Sequence, residues 1–215
     1  MENWKRSVID AGIRMLDEGI TVGTWGNVTL RDPETNYVYL SPSGMPYRTL
    51  TENDIVVVRL DGSRVEGERK PTIETEMHLA IYRARPACNA VIHTHPIYST
   101  AFSAMGEEIP LLLDEAAQVL GDTVRTADYA LPGSMELAEN CVKALGEKSM
   151  ACLLKSHGAV CLGENLEQAF GNSTVLEATA QVYSIIRAMG GTFEPISPEN
   201  IAAMQDFVKY RYGQR

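Results

Sequence analysis

Between residues 4 and 18 the apolar side chains Trp4, Val8, Ile9, Ile13, Met15 and Leu16 recur near the helical period, and Gly19 follows as a C-cap, so the chain is expected to open with a helix. The pattern then becomes β-type. Runs at 23–30 and 37–40 flank the turn-forming stretch Asp32-Pro33-Glu34-Thr35-Asn36 and predict a hairpin, and runs at 55–60 and 63–66 around Asp61-Gly62 predict another. A helical pattern over 74–85 gives way to a short apolar strand at 91–95 that Pro96 stops. A helix over 96–105, a strand at 124–126, a helix over 134–145 and two apolar runs at 150–154 and 159–162 come next. The longest helical segment covers 166–189, and a last one 198–209. Hairpins interleaved with helices imply an α/β chain whose central sheet is mainly antiparallel and covered by helices, not a strict alternation of parallel strands and helices. Neither an internal repeat nor a linker breaks the pattern, so residues 1–215 are expected to form a single domain.

Charge and composition narrow the partners. The 215 residues carry a formal net charge of −9, with 19 Lys and Arg against 28 Asp and Glu and no dense basic cluster, which disfavours nucleic acid. Apolar runs such as 109–113 fall far short of the roughly 20 residues that span a bilayer. The N-terminus enters a mixed-charge helix directly, without the apolar core of a signal peptide, so a cytoplasmic protein with no membrane partner is expected. Cys88, Cys141, Cys152 and Cys161 are widely spaced in apolar contexts with no C-x-x-C pair, which excludes a zinc knuckle and reads as buried thiols.

Only four histidines occur, and two of them, His93 and His95, stand at i and i+2 in the strand before Pro96. Period two puts both imidazoles on one face, a disposition that suits zinc, although solvated strands with alternating polar residues produce the same spacing. A third ligand should be another histidine. His157 in Lys155-Ser156-His157-Gly158 is the candidate, because it lies at a strand exit and the following glycine permits a tight turn. His78, inside the 74–85 helix, reads as structural. Glu74 at the start of that helix reads either as compensation of the helix dipole or as a general base or additional ligand.

These residues fall within a longer series that resembles the zinc-dependent class II aldolase family of the fuculose-phosphate type, related to the ribulose-phosphate 4-epimerases. The resemblance is carried by Gly23-Thr24-Trp25-Gly26-Asn27-Val28-Thr29, Ser41-Pro42-Ser43-Gly44-Met45-Pro46-Tyr47, Leu50-Thr51-Glu52, Pro71-Thr72-Ile73-Glu74, Asn89-Ala90-Val91-Ile92-His93-Thr94-His95, Ser156-His157-Gly158 and Tyr212-Gly213. It implies a three-layer single domain, a zinc ion on His93, His95 and His157, and Glu74 as resting ligand and acid/base group. It also implies that Thr24, Asn27, Ser43, Gly44 and Thr72 line a pocket for the phosphate of a small sugar substrate. Hydroxyls, an amide and a free backbone N–H can donate to a phosphate dianion without a basic patch, although the same residues also favour plain turns.

By the same resemblance the chain is expected to be a homotetramer that cleaves a ketose 1-phosphate to dihydroxyacetone phosphate and an aldehyde. Epimerase, dehydratase and decarboxylase chemistry would use the same enediolate site. The adducin-like heads of this fold are non-catalytic interaction modules, and retention of three histidines with Glu74 argues against that role. There are two departures from the family pattern. Ile73 replaces a small hydroxyl residue, and Asp114-Glu115 stands where the family carries a tyrosine that reaches a neighbouring subunit's site. Asp114 or Glu115 is therefore expected to take the C4-hydroxyl proton, with Tyr212 of the C-terminal tail as a further catalytic candidate. Both acids also suit the first turn of a helix.

Overall fold

In the computed structural model, residues 3–211 and 213 are described. The opening helix α1 (Trp4–Asp17) starts where the Asn3 side chain accepts a hydrogen bond from the Arg6 N–H, and it buries Val8, Ile9, Ala11 and Met15 on one stripe. The two expected hairpins form as β1 (Asn27–Arg31) with β2 (Val38–Leu40), and β3 (Val56–Val58) with β4 (Arg64–Glu66). After them come α2 (Thr75–Ala84), β5 (Ala90–Thr94), α3 (Ile97–Met105), α4 (Asp114–Val119), β6 (Thr126–Ala127), α5 (Met135–Leu145), β7 (Ala151–Leu154), β8 (Gly158–Gly163), α6 (Leu166–Ala188) and α7 (Pro198–Arg211).

The strands make one sheet in the order β4-β3-β2-β1-β5-β8-β7-β6, antiparallel throughout except where β6 runs parallel to β7. Helices cover both faces, giving three layers as expected. Val28, Leu30, Ala90, Ile92, Leu153 and Cys161 pack with residues of α1, α3, α4 and α6 on one face, while Val38, Val91, Cys152, Val160 and Leu162 pack with α2 and α5 on the other. Each fully buried Ile, Leu or Phe removed from water in these layers contributes about 1.5–3 kcal/mol. The four cysteines are free and buried. Helix α7 buries no residue completely and rests Ile201 and Met204 against the first core. Among the described residues, no helix is long and apolar enough to cross a membrane.

Four short elements differ from the sequence reading. The strand expected at 124–126 is displaced: Val124 makes only an isolated bridge to Ile109, and β6 is the pair Thr126–Ala127. The six-residue helix α4 and the 3-10 turns Tyr47–Thr49 and Glu52–Asp54 are too short to show a helical period in the sequence.

Register positions the site. Asn27 at the start of β1 lies opposite His93 near the end of β5, and His93 lies opposite Val160 of β8. The N-terminal end of β1, the C-terminal end of β5 and the turn between β7 and β8 therefore meet at one edge of the sheet, below the start of α2.

Candidate metal and substrate site

At that edge three imidazoles converge. The His93 Nε2 lies 3.0 Å from His95 Nε2 and 3.3 Å from His157 Nε2, and one ring nitrogen from each of the three falls within 4.8 Å of the others. The His93 Nδ1–H donates to the Ala159 carbonyl at 3.0 Å, and because a carbonyl only accepts, this bond leaves Nε2 as a bare lone pair aimed at its neighbours. Burial lowers the basicity of all three rings, to about 4 for His93 and His95, so they are neutral near pH 7. Glu74 completes the group: its Oε2 is 3.3 Å from His93 Nε2 and its Oε1 is 3.4 Å from His157 Nε2. The Glu74 side chain is buried at the N-cap of α2, where the helix dipole favours an anion, and the Asn27 amide donates to Oε2 at 2.7 Å.

Local sequence explains the convergence. His93 sits near the end of β5 and His95 one residue beyond it, and their ring centres are 4.8 Å apart. The β7–β8 turn closes when the His157 N–H bonds the Leu154 carbonyl, with Ser156 at φ 56°. Positive φ thus falls on Ser156 and not on the glycine. Gly158 is required for another reason, since a Cβ there would come within 2.4 Å of the Thr94 carbonyl and 2.6 Å of the His95 ring. Gly26, at φ +76°, likewise lets the loop before β1 press on the His93 carbonyl, which a Cβ would meet at 2.6 Å. Both glycines make room for the histidine strand.

The residues present fit a divalent metal ion. Uncharged lone pairs from three imidazoles and a carboxylate face one another, and Glu74 Oε1 has no hydrogen-bond partner among the described residues. Zinc bonds of about 2.0–2.1 Å put tetrahedral ligand nitrogens roughly 3.3 Å apart, close to the two short separations here.

The cluster forms one wall of a cavity of about 440 Å³. Thr24, Asn27, Ser43, Gly44 and Thr72 also line it, which gathers all five residues expected to hold a phosphate. The segments carrying Ser43 and Thr72 are tied together, because Ser43 N–H bonds the Lys70 carbonyl and Thr72 N–H bonds the Ser41 carbonyl. No lysine or arginine lines the cavity among the described residues, so an anion there would meet neutral donors only. Trp25, Ile73 and Pro132 supply apolar walls. Ile73 stands out in the sequence, whereas Trp25 and Pro132 do not. An aromatic residue inside a glycine-rich stretch was the available signal for Trp25, and Pro132 carried none. His78 is buried and bonded to Thr29, in keeping with a structural role, and burial holds its imidazole neutral at a pKa of about 3.

Asp114 and Glu115 are not brought to this cavity. They are exposed in the first turn of α4, outside the cavity lining of their own chain. Tyr212 lies outside the described residues.

Comparison with known proteins extends the picture. The family described as Class II Aldolase and Adducin N-terminal domain matches residues 6–184. A 5-deoxy-D-ribulose 1-phosphate aldolase of Bacillus thuringiensis serovar kurstaki is 34% identical, with 100% of this chain and 99% of that protein covered. An L-fuculose phosphate aldolase of Escherichia coli K12 is 35% identical over 98% of this chain and 95% of its own. The solved structure of an L-fuculose 1-phosphate aldolase superposes with a TM-score of 0.92 at 33% identity, covering 98% of each chain.

Proposed function

Because this chain belongs to the class II aldolase and adducin N-terminal domain family, we propose that it is a metal-dependent aldolase that reversibly cleaves a ketose 1-phosphate to dihydroxyacetone phosphate and an aldehyde. It is a lyase of the aldolase type by family and by its relatives. The observation that carries the finer reading is the meeting of three neutral imidazoles and a buried carboxylate on the wall of a cavity rich in hydroxyl and amide donors.

His93, His95 and His157 hold the ion, with Glu74 beside them. When bound, a divalent ion, zinc by preference of the donor set, supplies Lewis acidity toward the carbonyl and hydroxyl oxygens of the ketose. Thr24, Asn27, Ser43, Gly44 and Thr72 anchor the phosphate and so fix the sugar's position relative to Glu74. In the cleavage direction a base takes the C4-hydroxyl proton and the C4–O electrons form the aldehyde. The C3–C4 bond breaks, and its electron pair passes into the enediolate of dihydroxyacetone phosphate. Glu74, protonated from solvent before the bond breaks, delivers that proton to C3, and the base releases the C4-hydroxyl proton to solvent. Asp114 or Glu115 takes the C4-hydroxyl proton. Because both stand outside their own chain's cavity, they serve a neighbouring subunit of a homotetramer, with Tyr212 as a further contributor from the tail. The apolar surfaces of Trp25, Ile73 and Pro132 favour an aldehyde half that lacks hydroxyls, such as that of a deoxy sugar.

The test incubates metal-loaded protein with a panel of ketose 1-phosphates. Equimolar dihydroxyacetone phosphate and aldehyde are expected, fastest with a deoxy sugar. A C4 epimer, a dehydrated product or carbon dioxide without dihydroxyacetone phosphate would replace the aldolase reading with epimerase, dehydratase or decarboxylase.

A further inference from the structure

The face of α2 that meets β1 is polar in a regular way. Glu74, His78 and Tyr82 follow one another at i, i+4 and i+8, and they pair in order with Asn27, Thr29 and Arg31 at i, i+2 and i+4 of the strand. Asn27 donates to Glu74 at 2.7 Å, Thr29 Oγ1 lies 2.8 Å from both His78 Nδ1 and Tyr82 Oη, and the Arg31 guanidinium sits 5.5 Å from the centre of the Tyr82 ring. A helix rises about 6.0 Å in four residues and a strand about 6.8 Å in two, so three rungs stay aligned only when helix and strand run in the same direction at one register.

The middle rung has a fixed polarity. Tyr82 Oη–H donates to the Thr29 carbonyl at 2.9 Å, and that acceptor uses the phenol's single proton. The reverse arrangement, with Thr29 Oγ1–H toward His78 Nδ1, would bury an unpartnered Nε2–H, so Thr29 Oγ1–H is assigned to Tyr82 Oη and Thr29 Oγ1 accepts from His78 Nδ1–H. His78 is therefore the Nδ1–H tautomer. Its Nε2 is a bare acceptor, buried and without a hydrogen-bond partner among the described residues. An apolar side chain would fill this space without that penalty, and the opposite face of the same strand shows the apolar alternative in Val28 and Leu30. Burial alone does not call for this polar set. Directional bonds fix how far α2 can slide along β1, and apolar packing does so less strictly.

We propose that Thr29, His78 and Tyr82 are positioning residues that set the register of α2 on β1 and thereby hold the Glu74 carboxylate against His93 and His157. The catalytic consequence rests on the reading of Glu74 as the acid/base group.

The experiment compares metal-loaded wild type, Thr29→Val, Thr29→Ser and Glu74→Gln, with ¹⁵N-histidine spectra that need resolve only four rings. Thr29→Val is expected to keep its metal and its KM while kcat falls about 10-fold or more, and Thr29→Ser to restore kcat. The His78 ring should appear as Nδ1–H in wild type and Thr29→Ser and lose that single tautomer in Thr29→Val. Wild-type kcat in Thr29→Val beside a disabled Glu74→Gln would overturn the ladder alone, whereas wild-type turnover in Glu74→Gln would refute the acid/base reading on its own. An Nε2–H tautomer at His78 in wild type would also overturn the ladder. Should Thr29→Val not fold, His78→Leu serves instead, since the Thr29 and Tyr82 hydroxyls still satisfy each other. A drop in kcat without loss of thermal stability supports positioning, and unchanged kcat refutes it.

Discussion

Toward α1, α3 and α6 the central strands β1 and β5 present the apolar residues Val28, Leu30, Ala90 and Ile92, whereas toward α2 the same strands present Asn27, Thr29, Arg31 and His93 around the single apolar Val91. The two faces are equally buried, so exposure does not separate them; chemistry does. The apolar face gains from every methylene removed from water, while each group on the polar face is worth little until its partner is in place. Both faces of the sheet carry an apolar core, but the reactive groups sit only on the α2 side, held by directional bonds.

That division can be broken one residue at a time. The largest effect is expected for Glu74→Gln on the polar face: the amide fills the same space and cannot shuttle a proton, so kcat should fall about 10²–10⁴-fold with metal still bound. Steady-state kinetics with metal analysis checks it, and loss of metal with unchanged turnover per bound ion would make Glu74 structural. Next comes Ile92→Ala, one position from His93 on the opposite face. It should lower stability by about 2–5 kcal/mol in urea unfolding while leaving kcat per folded, metal-loaded chain unchanged. A matching loss of kcat would show that the faces are not separable. The smallest effect belongs to Asp114→Asn and Glu115→Gln, exposed in the first turn of α4 and outside the cavity lining. One of the two should lose the acidic limb of the pH profile with a drop of about 10-fold in kcat, which is about 1.4 kcal/mol. If both acids only cap α4, rate and limb stay as in wild type and at most about 1 kcal/mol of stability changes. Light scattering belongs to the same test, because a fully active monomer leaves these acids no site to reach.

The sequence made the apolar face and most elements readable, because helical and strand periods are local. It also exposed His93 and His95 through period two, and Glu74 through its place at a helix start. His157 was found by its strand exit and glycine, though the glycine's reason was different, since it gives up a Cβ to the His95 ring while Ser156 takes the strained turn. Elements of two to six residues, β6 and α4, show no period to read. The pairing of Thr29 with His78 and Tyr82 depends on how α2 lies across β1, which no local pattern encodes. Pro132 enters the cavity from the loop after β6 and became visible only once the chain was folded.

The central claim is that the polar face of β1 and β5 holds one divalent ion on which cleavage depends. Chelator-treated protein, titrated with zinc while dihydroxyacetone phosphate release is followed, should recover activity in proportion to bound metal up to about one ion per chain. Full-rate cleavage by the metal-free protein would contradict it.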